Sequence, residues 1–330
     1  MPPPIAYLFS TASYGILMFL FECFLTVILS LVWALFLVSH RVLVHHLGIP
    51  VMIAGFWTRV IGISLLFTAI VLKGELRQFL HPGRLLRFAL LIGLGAFAIN
   101  LCAFFGFRFT DASSGAIIQK TDILFTLIAS HFLLRETMDR SDWAGTLLMV
   151  LGTVVLLWQK LLHLSPSLIG DFLFLLSAAL LTINAFIIKT KLGPMSNRVI
   201  ATYNSSVTLT GFALCLFVGM VLGQYDDPVI VFRAWPTALM TLLGGGSVAA
   251  LFLLYYRALG RLPFWLVRVL LLVVPVWSVL IECCFLKKEP SLNEIAGIIV
   301  ILSGAGLIVL SHDRRQRADR VANEMKEEPT

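Results

Sequence analysis

Ten long apolar stretches separated by short polar ones set the pattern of this chain: 14–39, 50–72, 86–107, 112–134, 142–159, 168–189, 199–222, 235–256, 263–285 and 293–311. Each approaches the roughly 20 residues that an α-helix needs to cross the hydrocarbon layer. None alternates apolar and polar residues as a barrel strand must, so the backbone has to satisfy its polar groups within helices. The pattern predicts an all-α integral membrane protein with ten transmembrane helices. Composition agrees, with 59% hydrophobic residues, 13% charged residues and a mean hydropathy of +0.94. A soluble domain carries about 25% charged residues.

The net charge of +7 does not indicate nucleic acid, because the basic residues sit between the apolar runs and report topology. With the N-terminus inside, Lys73 to Arg87, Arg135, Arg140, Lys189 to Arg198, Arg257, Arg261 and the basic residues of the tail all fall on the cytoplasmic side. The other side holds only Arg41, Arg108, Lys160, Arg233, Lys287 and Lys288. Both termini are therefore expected in the cytoplasm. The opening MPPPIAYLFSTAS lacks the basic region of a cleavable signal peptide, so the first span is expected to serve as its own uncleaved insertion signal. Cys23, Cys102, Cys215, Cys283 and Cys284 all lie in apolar runs and read as packing thiols rather than a disulfide framework.

The chain repeats itself. The stretch 123–157, ILFTLIASHFLLRETMDRSDWAGTLLMVLGTVVLL, parallels 275–310, PVWSVLIECCFLKKEPSLNEIAGIIVILSGAGLIVL, and Gly145 and Gly152 match Gly297 and Gly304 at an offset of 152. Similarly, ECFLTVILSLVWAL (22–35) parallels DFLFLLSAALLTIN (171–184). Each unit holds five spans, an odd number, so the second must insert upside down relative to the first. Two inverted five-helix repeats are expected, 1–161 and 162–311, followed by a cytoplasmic tail, 312–330, that frays into water. Inverted repeats mark secondary transporters, whose substrate site lies near the midplane between the halves. The paired glycines predict close helix contacts, and a homodimer through the fifth and tenth spans is an arrangement they permit.

The fourth span, AIIQKTDILFTLIASHFLLRE (116–136), carries polar residues deep in an apolar run. Counting about 1.5 Å per residue from Ala112 puts Lys120 about 12 Å into the bilayer. A charge there costs about 2.5–3.5 kcal/mol even on a lenient scale, so it must face protein or a wet cavity. Gly115, Gln119, Asp122 and Thr126 form one stripe, while Ser113, Lys120 and His131 form another. A helix polar on two sides is a central one. On the ninth span Arg268, Pro275 and Glu282 share a face, with Arg268 at a depth similar to Lys120. Two cations converging from opposite halves suit a carboxylate or phosphate. Lys120 and Arg268 are therefore the sharpest candidates for binding an anionic substrate. The alternatives are that Lys120 pairs with Glu22 or a backbone carbonyl and that Arg268 snorkels to the interface. Pro275 frees a carbonyl one turn earlier and predicts a bend.

Other polar residues within spans extend the candidate set. Arg59, beside Trp57, is either a substrate ligand or structurally paired. Glu22 aligns with Asp171 and reads as an entrance residue or a proton carrier. Asp122 is the better candidate for proton coupling, since desolvation favours a neutral carboxyl. Asn100, Asn184 and Asn204 either donate to substrate or tie helices together. Trp33, Trp57, Tyr203 and Trp277 either line a cavity or pack.

These features resemble the drug/metabolite transporter superfamily, specifically its EamA-type ten-span permeases, over about residues 20–311. Pro275 fits the family's proline position in the second half, where Ile123 replaces it in the first. Glu136 fits the turn glutamate, whose counterpart position holds Lys288, with Glu289 one residue late. GFRFTDASSGA (106–116), YRALGRLPFW (256–265) and GDFLFLLSAAL (170–180) look like the family's connections and second-repeat opening. The resemblance implies alternating access without ATP hydrolysis, a cavity walled by central helices, a basic residue near Arg59 and residence in the plasma membrane. It implies a small-molecule substrate, exported rather than modified, with no cofactor and no metal. A flippase for a lipid-linked sugar or phosphate is the alternative. An intramembrane enzyme is disfavoured because only His131 among the histidines lies within a span and no HExxH occurs. Short loops disfavour a receptor or scaffold.

Overall fold

A computed structural model of the chain describes residues 6–109, 119, 121–136, 138–156, 158, 168–225, 227–286 and 291–327. Among these the structure is helical, with no strand: α1 (Ala6–Arg41), α2 (Val51–Leu72), the short α3 (Leu76–Leu80), α4 (Leu86–Phe109), α5 (Asp122–Phe132), α6 (Arg140–Leu156), α7 (Leu168–Lys191), α8 (Asn197–Val221), α9 (Trp235–Arg261), α10 (Phe264–Leu270), α11 (Val274–Leu286) and α12 (Leu292–Glu327). Seven helices are long and apolar enough to cross a membrane. Two shorter apolar helices, Asp122–Phe132 and Ile295–Ser311, occupy the fourth and tenth expected spans. α6 occupies the fifth.

Side chains are distributed as lipid demands. Large apolar groups such as Phe24, Ile128, Phe132, Leu214, Phe217 and Ile299 are exposed, while Glu22, Arg59, Asp122, Asn184, Asn204 and Arg268 are buried. In hydrocarbon the apolar outer surface costs nothing, whereas buried polar groups need partners inside the bundle. The protein is membrane-embedded.

Local sequence explains where the helices stop and break. α2 and α8 each end two residues before a glycine of positive φ, Gly74 (69°) and Gly223 (66°). Only glycine adopts that conformation freely, and it turns the chain so that Glu75 N–H and Gln224 N–H reach back to Ile70 and Gly219 carbonyls. The ninth span is interrupted: α10 stops at Leu270, a 3₁₀ turn covers Leu271–Val273, and Pro275 stands in the first turn of α11. Proline tolerates a first turn and not a helix interior, so the expected bend falls where the missing N–H requires it. The tail departs from expectation. α12 continues past His312 to Glu327 rather than fraying. Its residues Arg314, Arg315, Gln316, Arg317, Ala318 and Ala322 are strong helix formers, and an existing helix propagates through them without a new nucleus.

The principal helix contacts fall into matched pairs. α1 packs on α9 and α4 on α7; α2 packs on α9 and α4 on α8; α1 packs on α11 and α5 on α7. Three further pairs, α2 with α8, α5 with α10 and α6 with α12, join corresponding helices. Substituting each helix by its counterpart five spans away converts every one of these contacts into another. At the α6–α12 crossing the glycines do what their spacing predicts. A Cβ on Gly304 would stand 2.7 Å from Gly145 O, and one on Gly152 would stand 3.0 Å from Gly297 O. The glycine faces of the two helices are occupied by each other within one chain.

Candidate functional site

Arg268, on α10, is 3% exposed and reaches three other helices. Its Nη1 donates to Asp122 Oδ2 of α5 at 3.0 Å, its Nη2 donates to Leu181 O of α7 at 3.0 Å, and its guanidinium lies over the Tyr255 ring of α9 at 5.3 Å. The residue does not snorkel. It sits deep because α10 is buried along its whole length, from Phe264 to Leu270. Arg268 and Asp122, read from sequence as a substrate ligand and a proton carrier, are thus brought together as one ion pair.

The start of α10 is secured by a residue read from sequence only as the turn glutamate. Pro263 precedes the helix and makes no side-chain cap. Glu136 supplies one instead, taking the Phe264 N–H at 2.8 Å and the Trp265 N–H at 3.4 Å. A carboxylate at a helix N-terminus satisfies orphan donors and opposes the helix dipole. Lys189 then bridges Glu136, at 3.0 Å, to Leu262 O, at 2.8 Å.

The polar stripe of the fourth span faces α7. Gln119 Nε2 donates to Ser177 Oγ at 3.0 Å, Thr182 Oγ1 donates to Asp122 O at 3.2 Å, and Thr126 meets Thr182 at 3.4 Å. Lys120, the cation read as the main anion ligand, lies outside the described residues. The asparagines act in part as ties: Asn184 Nδ2 donates to Ile92 O of α4 at 2.8 Å, and Asn204 Nδ2 to the Tyr256 hydroxyl of α9. Asn184 comes this close because Gly95 opposite leaves room, where a Cβ would stand 2.3 Å from its Oδ1. Asn100 is bonded to Ala96 O within its own helix at 2.6 Å. Trp277 donates to Ser30 Oγ at 3.0 Å, and Trp33 sets its ring edge-on to Tyr255, with centroids 6.0 Å apart.

Arg59, on α2, stands differently. It is 6% exposed, and its guanidinium lies over the rings of Phe36 of α1 and Phe252 of α9, at 5.7 Å and 5.6 Å. Among the described residues it has neither a carboxylate nor a hydrogen-bond acceptor. Aromatic rings continue from it: Phe252 stacks on Tyr256 (5.7 Å), Tyr256 meets Tyr255 (5.7 Å), and Tyr255 meets Trp33. The Tyr255 hydroxyl is buried with no hydrogen-bond partner.

At the end of the bundle where α9 gives way to α10, charged and polar groups join the two halves of the chain. Glu22 is buried and accepts from Arg257 Nη2 at 2.7 Å and from its Nε at 3.1 Å. Glu75, between α2 and α3, pairs with Arg198 and accepts from Ser196 Oγ at 2.7 Å. Hydrogen bonds from Arg198 hold the Glu75 carboxyl below its ordinary pKa, with the Ser196 hydroxyl adding to the effect. Gln78 accepts from Ser196 N–H at 3.2 Å, Ser141 meets Ser311 at 2.8 Å, and Glu136 with Lys189 belongs to the same layer. At the opposite end the Trp57 indole donates across to Pro228 O at 2.6 Å. Among the described residues no three His, Cys, Asp or Glu side chains converge as a metal ion would need.

The sequence model of the EamA-like transporter family matches this chain twice, over residues 20–158 and 168–310. A Salmonella typhimurium protein named "Probable amino-acid metabolite efflux pump" is 25% identical over 309 residues, covering 89% of this chain and 97% of that protein. An Escherichia coli protein of the same name is 24% identical over 295 residues, covering 85% and 92%. A Bacillus subtilis protein named only as an uncharacterized transporter is 22% identical over 291 residues, covering 87% and 96%. One solved crystal structure shares the fold, with a TM-score of 0.73 and 20% sequence identity over 89% of this chain and 96% of its own. Given a family match over nearly all of its length and this helical, membrane-embedded architecture, the chain belongs to the EamA-like transporter family of the drug/metabolite transporter superfamily.

Proposed function

We propose that the protein is a secondary transporter that exports small polar or anionic metabolites, amino acids among them, across the plasma membrane by alternating access. In this reading ten spans form two inverted five-helix repeats, with both termini in the cytoplasm and the tied end of the bundle at the cytoplasmic face. The double family match, the interchange of helix contacts and the names of the relatives support it.

The observation that carries the proposal is the layer of breakable contacts joining the halves at one end, above an interior holding buried charge. Partly exposed ion pairs each contribute only about 0–1 kcal/mol. A few of them can close one end of a bundle and still yield to the differential binding of a substrate. Rocking of the halves would part Glu75 from Arg198, Glu22 from Arg257 and Glu136 from α10, opening the interior to the cytoplasm. The pair between α5 and α10 lies at the centre of this motion. A proton taken by Asp122 would weaken its hold on Arg268, which gives proton coupling a physical route through these two residues. Substrate contacts are assigned to Lys120, Gln119 and the ring-lined interior near Arg59.

The test is counterflow of labelled amino acids in proteoliposomes, with and without an imposed pH gradient. Saturable counterflow is expected. Its absence for every amino acid tried would remove the reading, and flux indifferent to the gradient would remove proton coupling.

A further inference from the structure

We propose that Arg59 is the anchor for the carboxylate of a small organic monoanion with an apolar or aromatic body. The inference rests on the transporter reading above and names the chemistry of one site within it.

A guanidinium is always charged, and removing it from water without a counter-charge is among the costliest arrangements a fold can hold. Arg268 shows how this protein meets that cost, with Asp122 and a backbone carbonyl in direct contact. Among the described residues Arg59 has only ring faces. Two cation–π contacts at 5.6 and 5.7 Å support the charge but supply no oxygen acceptor for its N–H donors. Its neighbours do not neutralise it. His40, which packs on Phe36, has its ring nitrogens engaged with Phe36 O and Thr58 Oγ1, and Tyr256 is held by Asn204. Among the described residues the charge is therefore not consumed, which suits it to hold an anion.

The ligand class follows from charge and shape. One buried positive charge is neutralised by one negative charge, whereas a phosphate dianion would leave a net charge in a low-dielectric interior. The planar fork matches two oxygens of a carboxylate, which chloride cannot offer. The groups around and beyond the guanidinium are rings, Phe36, Phe252, Tyr256, Tyr255 and Trp33, packed on one another, so an anion reaching Arg59 would meet apolar surface there, which favours an apolar or aromatic body over a sugar.

The experiment compares thermal unfolding of detergent-purified wild type and Arg59→Met with sodium 3-phenylpropionate, sodium benzoate, benzamide, sodium chloride and sodium phosphate at matched ionic strength. Near saturation the two carboxylates are expected to raise the wild-type midpoint by about 5 °C. Benzamide and chloride are expected to leave it unmoved. Arg59→Met is expected to ignore all five and to unfold no lower than wild type, since methionine fills the same slot without a charge. Arg59→Lys, which keeps the charge and loses the fork, is expected to bind at least about tenfold more weakly. A wild type that responds to neither carboxylate, equal responses to benzoate and benzamide, stronger stabilisation by phosphate, or an Arg59→Met protein that unfolds well below wild type would each overturn the assignment. Counterflow of labelled benzoate, run beside that of amino acids, distinguishes the two levels. An undiminished rate in Arg59→Met ends the site and leaves the transporter, whereas no counterflow by wild type ends the transporter reading itself.

Discussion

Two arginines lie inside this bundle at 6% and 3% exposure, and their surroundings are opposite. Arg268 is met by a carboxylate from α5 and a carbonyl from α7, so its charge is matched by groups the fold brings with it. Arg59 is met by rings from α1 and α9 and, among the described residues, by no anion. The first arrangement cross-links helices from both halves of the chain. The second leaves the charge to the external anion proposed above. Burial alone therefore does not separate a structural charge from a binding one; what separates them is whether the counter-ion is covalently part of the protein.

The largest expected effect breaks the paired member. Asp122→Asn leaves Arg268 buried without its anion, and removing one partner of a buried pair costs about 3–5 kcal/mol. A fall in thermal midpoint in detergent checks it. Replacing both groups, Asp122→Leu with Arg268→Met, is expected to restore most of the loss, because no charge then remains to be matched. A second variant sharpens the contrast by making Arg59 resemble Arg268. Phe36→Glu places a carboxylate where a ring now lies and is expected to weaken benzoate binding at least tenfold while the protein stays folded, measured by the midpoint shift on adding benzoate. Packing without charge gives a smaller effect. Gly304→Val forces α6 from α12 against a 2.7 Å approach and is expected to cost about 1–3 kcal/mol in thermal stability.

The smallest effect lies at the tied end. Glu75→Gln is expected to lose less than about 1 kcal/mol at neutral pH, because Arg198 is 36% exposed and the pair is screened. Folding depresses the Glu75 pKa, so the pair contributes fully above the unfolded value of about 4.3 and is lost as pH falls through the lower folded value. Wild type and Glu75→Gln should therefore differ in midpoint at pH 7 and converge in acid.

Much of this architecture is legible in the sequence because hydrophobic runs and glycine spacings are local signals. Gly145, Gly152, Gly297 and Gly304 announce the α6–α12 crossing, and Pro275 announces the break before α11. The partners of the charges are not legible. Asp122 and Arg268 stand 146 positions apart, and no periodicity links them. Arg257 reads from sequence only as a topology charge, and Glu136 only as a turn residue, because an ion pair and a helix cap supplied across halves leave no local trace. The surroundings of Arg59 are the least accessible to sequence, since they depend on which groups several helices bring to it among the described residues.

The central claim is that the halves part at the end closed by Glu22, Glu75 and Glu136. It is tested most directly by the distance between spin labels at Arg77→Cys and Lys191→Cys, both exposed positions on opposite halves, in a background free of native cysteines and reconstituted in lipid. The account expects a short-distance population that gives way to a longer one when Glu22, Glu75 and Glu136 are all changed to glutamine. A single distance, unmoved by those three changes while transport continues, would contradict it.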